Sequence, residues 1–555
     1  MQNIITITVD NKKYSFERGV TIHEIFKDGI SSNYESNPYV AALVNGELKN
    51  LGFAILYDAE VKPIRLFSPL GKRVYRHTLA LLLSYAAAKT YPELHFVIDY
   101  ALGDGHCFHF ENGEVSEDVA SKLSTVMEKA VKDNLEITYT AIPYTKALEI
   151  FDQKAFPRTN SLLETRNDAK INVCILDGYQ DILYEPVLPS TGLLKLWELK
   201  AYKNTLLLRH PLAPDFDKIK EFENNEKLFA VLNRERKNCK VMKVTSIGEL
   251  NKSIADGSIN HIIELSETIR NSDIDLVARD IKMRGSVKAI FLAGPSSSGK
   301  TTTSLKLSSR LELFGYKPIK ISLDDYYLPG ENSTPLDEEG KPDYEALEAI
   351  DVAYFKKQLS DLFAGKGIHL PLYTFKTHTR KDAEKETILT ENSILVIEGI
   401  HGLNPALYES FAPDSIYKVY VSALTGLTID DHNRISTTDT RIIRRCVRDA
   451  RTRGFSAEST LQIWPSVERG EKNNIFPYQN NADAMLSSSL AYELAALAPY
   501  AIPLLRSIKP QSGEAYTNAR RLLKFLELIY IVNEDRIPLD SVLREFIGGS
   551  IYGAV

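Results

Sequence analysis

The stretch Ala289-Ile-Phe-Leu-Ala-Gly294-Pro295-Ser296-Ser297-Ser298-Gly299-Lys300-Thr301-Thr302 reads Gly-x-x-x-x-Gly-Lys-Thr, a phosphate-cradling loop. Its context is the one the motif needs. The apolar run Ala289 to Ala293 predicts a buried strand, and Thr301 to Phe314 predicts a helix that stops at Gly315. The glycines let backbone N–H groups turn inward, and the helix adds its positive N-terminal end. The loop from Gly294 to Thr302 would therefore hold the phosphates of a nucleoside triphosphate. Lys300 would reach the β- and γ-phosphates, and the Thr301 hydroxyl would bind Mg²⁺.

Working outward, strands alternate with helices from about 283 to the end: Val287–Ala293, Pro318–Leu323, Ser393–Ile397 and Tyr417–Val421. Such alternation predicts a doubly wound parallel sheet, with ligands at the strand C-terminal ends. At one such end lies Asp324-Asp325-Tyr326-Tyr327, where a carboxylate suits a general base, although a solvated turn would read the same way. Ser393 to Glu398 is an apolar strand ending in a carboxylate, a place for a Mg²⁺-orienting acid. Arg441, Arg444, Arg445 and Arg448 follow i, i+3, i+4, i+7 spacing and share one helix face. Like charges so placed repel, which makes sense if a polyanion covers them. Two apolar helical patterns, Met485–Leu497 and Asn518–Ile531, predict core, with a face for a second copy of the chain as the alternative.

The preceding segments read differently. Residues 1–68 alternate as Ile4–Val9 and Lys13–Phe16, then a short helix near Thr21, then Val40–Val44 and Glu60–Ile64, a β-grasp pattern. Residues 69–210 predict an α+β domain. Within it His106 and Cys107 are neighbours on an alternating strand and point to opposite faces, which argues against a shared metal. Residues 211–282 predict a helical connector, for example Asp217–Asn233 and Ser246–Ile254, with its charges on solvated faces.

The 555 residues are enough for about three or four domains. Apolar and charged fractions of 44% and 25% are ordinary for a globular protein, and a net charge of −6 gives no global basic field for nucleic acid. No apolar run approaches the ~18 residues of a membrane span. The N-terminus alternates like a strand and lacks a signal layout, and the cysteines (Cys107, Cys174, Cys239, Cys446) are scattered as reduced thiols would be. The expectation is a cytoplasmic protein.

Four segments together resemble the uridine kinase and phosphoribulokinase family of P-loop kinases. They are Gly294–Thr302, Ser322-Leu-Asp324-Asp-Tyr-Tyr327, Leu370-Pro-Leu-Tyr373-Thr-Phe375-Lys-Thr-His378-Thr-Arg380, and Asp439-Thr-Arg441 to Gly454. The resemblance implies phosphorylation of a nucleoside 5′-hydroxyl by ATP with Mg²⁺, the nucleoside being uridine or cytidine. It implies Asp324 as base, with Lys300 and Arg444 catalytic, and Glu398 and Thr301 on the metal. It also implies Arg445 and Arg448 closing over ATP, and Tyr373, Phe375, His378 and Arg441 on the substrate. Within Pro342-Asp343-Tyr344-Glu345, Glu345 is the expected ribose ligand and Asp343 its rival. Thr374 departs from the family pattern beside Tyr373, and the segment Leu336–Pro342 is long for it.

The first unit resembles the TGS domain, and the second resembles the editing domain of threonyl-tRNA synthetases, through Tyr75-Arg-His77-Thr-Leu-Ala-Leu81 and Gly178-Tyr-Gln-Asp-Ile-Leu183-Tyr-Glu-Pro-Val187. Only His77 of that family's four editing residues is present. Leu81, Leu183 and Val187 can neither ligate metal nor move protons, so a binding or bracing domain is expected. The whole layout is similar to bacterial TGS-containing nucleoside kinases, as are the phrases Asp430 to Asp439 and Asn474 to Tyr478. RNA binding by the front domains, an RNA- or ribosome-associated NTPase, a kinase of another small alcohol or sugar phosphate, and self-association all stay open.

Overall fold

The computed structural model describes residues 4–211, 217–330, 333–338, 340–375 and 377–553. Beyond residue 284 a five-stranded parallel sheet forms. Its order across the sheet is Lys317–Ser322, Ser393–Glu398, Ala289–Ala293, Ile416–Ser422 and Ala484–Ser487. The central strand Ala289–Ala293 is wholly buried, as a continuous apolar run in a sheet covered on both faces should be. Lys300–Leu313 and Ile259–Arg284 pack together on one face, while Val352–Phe363 covers the other. The antiparallel hairpin Ile368–Thr374 and Thr379–Thr387 stands outside the sheet.

The first residues build a five-stranded mixed sheet with the capped helix Ile22–Ile25, in which Thr21 and Glu24 cap reciprocally. Next, the helix Pro69–Thr90 begins where Ser68 accepts from Gly71 N and proline fills the first turn. A four-stranded and a three-stranded antiparallel sheet accompany it. His106 and Cys107 are both buried, more deeply than half-buried alternation predicts, and no three metal-binding side chains converge among the described residues.

Three expectations are corrected. Asp217–Asn233 is not one helix, because helix starts only at Glu226, capped by Asn225. The connector's charges are not all solvated: Arg270 is buried against Glu235 (2.7 Å) and donates to Ser487 O (2.9 Å), which fastens the connector to the edge strand of the sheet. Met485–Leu497 is not one helix either. Met485 lies in the edge strand Ala484–Ser487, and helix begins at Glu493. The apolar residues of both tail helices, Leu494, Leu497, Leu522 and Leu526, are core.

The phrase Asp430 to Asp439 has a structural role. The buried Asp431 carboxylate accepts from Thr159 N (2.9 Å), Thr159 Oγ1 (2.7 Å) and the His95 ring (2.6 Å), and its carbonyl accepts from Ile98 N (2.8 Å). His432 meets Asp181 at 2.8 Å. Burial opposes its charge, but Asp181, Asp431 and Asp430 outweigh this and push it up to about 9. This segment clamps the second unit onto the last. No helix among the described residues is long and apolar enough to cross a membrane.

Candidate active site

The phosphate loop joins the central strand to the helix Lys300–Leu313. A Cβ on Gly294 would lie 1.9 Å from Val421 O, and Gly299 sits at φ +81° with Val542 Cγ2 only 2.6 Å from a would-be Cβ. Both positions therefore require glycine. Lys300 Nζ folds back to donate to Gly294 O (2.9 Å) and Pro295 O (3.1 Å). Burial lowers its pKa, while Glu398, Asp324 and Glu545 around it act in the other direction.

Asp324 follows the strand Lys317–Ser322 in a tight turn capped by Ser322. The structure separates the paired aspartates. Asp325 accepts from Tyr373 N at 3.0 Å, whereas Asp324 belongs to the charge cluster of Lys300 and Glu398. Glu398 ends the adjacent strand, and Ser322 Oγ donates to it at 3.3 Å. Burial, then the nearby Asp324, pushes its carboxyl up to about 7. Thr301, on the first turn of the helix, is half-buried.

Beside Asp324 the hairpin brings aromatic rings together. Tyr327 lies 5.7 Å from Tyr373 and 5.3 Å from Phe375, centroid to centroid, and Tyr344 stacks on His378 at 6.4 Å. Tyr373 OH and His378 Nδ1 are 3.4 Å apart. Phe375 is left 48% exposed, an apolar face without protein covering. Glu345 is half-buried with its Oε2 out of solvent and unpartnered, and desolvation raises its carboxyl to about 7. Its rival Asp343 is occupied by Glu345 N at 3.0 Å. Asn474 Nδ2 donates to Glu345 O (2.8 Å), which gives the phrase from Asn474 a physical purpose.

The arginine stripe does share one face, and that face meets the phosphate loop, but it does not stand free. Arg441 is buried and pairs with Glu471 (2.7 Å). Arg444 is fully buried, with Glu493 at 2.8 Å, Ser488 O at 3.0 Å and Ser297 O at 3.4 Å. For Arg444 to act on transferring phosphate, or Arg441 to touch substrate, these carboxylate pairs would have to open. Both guanidinium groups are neutralised by carboxylates and brace the loop's back. Arg445 donates to Ser296 Oγ at 3.0 Å. Arg448 shares the single carboxylate of Asp449 with Arg445 and Arg453, and burial pushes it down to about 10.

Carboxylates also sit on the loop's own donors, a feature with no signal in the local sequence. Glu471 accepts from Ser296 N at 3.1 Å. Glu545, from a short helix near the C-terminus, accepts from Thr302 N (3.2 Å) and Thr302 Oγ1 (2.8 Å). First-turn N–H groups lack intrahelical partners, and these side chains satisfy them as an anion would. His401, buried after the Glu398 strand, was likewise not singled out by the sequence.

Residues 289–493 match the model of the phosphoribulokinase / uridine kinase family. A uridine kinase of Macrococcus caseolyticus is 30% identical over 210 residues, covering 37% of this chain and 92% of that protein. The chain belongs to this family. Its kinase-family region is preceded by one similar to threonine–tRNA ligases. The Thermotoga maritima enzyme is 30% identical over 195 residues, 34% of this chain. The chain spans only 29% of that ligase's length. A Bacillus stearothermophilus structure described as a possible uridine kinase aligns over 39% of this chain and 97% of its own, at 18% identity and a TM-score of 0.27, too low to bear on function. The family match covers the phosphate loop, Asp324, Glu398 and the arginine stripe.

Proposed function

We propose that the protein transfers the γ-phosphoryl group of ATP to the 5′-hydroxyl of a nucleoside, uridine or cytidine, giving the nucleoside monophosphate and ADP. One observation carries this reading: Asp324 shares a charge cluster with Lys300 and Glu398 on the phosphate-loop side, and next to it lies an aromatic cluster with an exposed ring. Asp324 takes the hydroxyl proton as that oxygen bonds to the γ-phosphorus. The bond from γ-phosphorus to the bridging oxygen breaks, and ADP leaves with the electron pair. Lys300 leaves its carbonyl partners for the phosphates, and Arg445 and Arg448 face the developing charge. Tyr373, Phe375 and His378 hold the base, and Glu345 the ribose.

The residues fit Mg²⁺. Buried carboxylate is in excess over Lys300, and Mg²⁺ takes one or two carboxylates plus water and phosphate oxygens rather than an all-protein cage. Thr301 and Glu398 would hold it, and when bound it neutralises phosphate charge. The front units, read as TGS and editing-like domains, brace a cytoplasmic kinase. The likeness to threonine–tRNA ligases favours a second reading, an RNA-associated NTPase, which salt-dependent micromolar tRNA retention in filter binding would support. The direct test is ATP consumption across nucleosides, ribulose 5-phosphate and pantothenate, with the product identified by mass. Nucleoside monophosphate supports the proposal, and consumption indifferent to nucleoside contradicts it.

A further inference from the structure

Between the front units and the helices flanking the kinase sheet lies a cavity of about 2250 Å³. His77, Leu81, Leu183 and Val187, the positions that resemble a lost editing site, all line it. Its polar chemistry comes from both halves of the chain. Arg73 and Arg76 enter from the helix Pro69–Thr90, Arg434 from the clamping segment, and Arg521 from the helix Glu514–Leu526.

These guanidinium groups are not balanced. Arg73 pairs with Glu185, and Arg521 holds Asp439 through two bonds of 2.6 and 2.7 Å. Arg76 and Arg434 have no carboxylate partner among the described residues. Arg76 Nε is buried with no hydrogen bond, and Arg434 donates only to Ile435 O at 3.3 Å. The counter-charges felt by Arg76 and Arg434 are Asp439 and, for Arg76, Glu185, each already paired with Arg521 or Arg73, and Glu468 on the same wall accepts from Trp464 Nε1 at 2.9 Å. His77 and His106, also on the wall, are held far towards the neutral state by burial and these arginines, and add no anion.

Two half-buried guanidinium groups without a carboxylate of their own leave surplus positive charge on this wall, which an anion would answer. Arginine forks match phosphate oxygens geometrically. We propose that this cavity is a binding site for a phosphate-bearing small molecule, held chiefly by Arg76 and Arg434, separate from the phosphate loop. The proposal does not depend on which acceptor the kinase uses.

Inorganic pyrophosphate is a suitable probe, titrated calorimetrically into the full chain carrying Lys300→Ala, which weakens the phosphate loop. One pyrophosphate should bind. Adding Arg76→Ala or Arg434→Ala should weaken it at least about tenfold, the loss expected for one charge-assisted contact. Arg434→Lys, which keeps the charge, should weaken it less. Should an alanine variant fail to fold, the comparison of Arg434→Lys with its parent carries the test. No binding to the Lys300→Ala protein, or equal affinity in all variants, would overturn the proposal. Binding of an RNA fragment with none of pyrophosphate would overturn the ligand class.

Discussion

Glu545→Gln should tighten ATP binding. The Glu545 carboxylate sits on Thr302 N and Thr302 Oγ1, donors at the helix start where a phosphate would be held. ATP must displace it. A hydrogen bond to a charged group is worth ~1.5–3 kcal/mol and a neutral one ~0.5–1.5 kcal/mol, so removing the charge weakens each of these contacts by about 1 kcal/mol. Two contacts give about 2 kcal/mol, roughly a 30-fold lower Kd for ATP. The amide keeps the size of the side chain. Equilibrium titration with a fluorescent ATP analogue, alongside a melting curve, measures the effect. An unchanged Kd in a variant with an unchanged Tm would refute the idea that this carboxylate competes with phosphate.

Other perturbations separate the remaining roles. Arg444→Ala strands the buried Glu493 and should cost about 3–5 kcal/mol in a denaturant titration, as loss of one partner of a buried pair does; an unchanged midpoint would contradict a bracing role. Phe375→Ala should raise KM for the nucleoside about tenfold and leave KM for ATP unaltered, since the ring is exposed beside the aromatic cluster; a matching rise for ATP would misplace the pocket. Burial raises Glu398 from 4.5 to about 7 in the folded chain, so the folded state binds the extra proton. Its destabilising contribution is absent below the unfolded pKa and grows as pH rises through about 7. Glu398→Gln should therefore flatten the fall in stability between about pH 5 and 8, and denaturant midpoints across that range would show parallel slopes if the assignment is wrong.

The kinase core was readable because its signals are local. A run of buried apolar residues ends in glycines that no other residue can replace, and Asp324 and Glu398 close neighbouring strands. The arginine stripe was readable as a stripe but not in its environment. Spacing tells which residues share a face, yet the partners of Arg441 and Arg444 come from helices 30 and 49 residues further on. Glu545 lies farther still, 243 residues from Thr302, within a helix of four residues that leaves no periodic pattern. The buried Glu235–Arg270 pair misled for the same reason, since on each helix it reads as one more solvated charge. Met485 was drawn into a helix because a four-residue buried strand and a helix segment are alike in apolar content.

Asp324→Asn tests the central claim most directly. The isosteric change removes the proton acceptor and leaves the phosphate loop intact. The account predicts that ATP binds with wild-type affinity while formation of nucleoside monophosphate, followed by mass in single-turnover mixing, falls by about 10²–10⁴-fold. Product formation at the wild-type rate would contradict it.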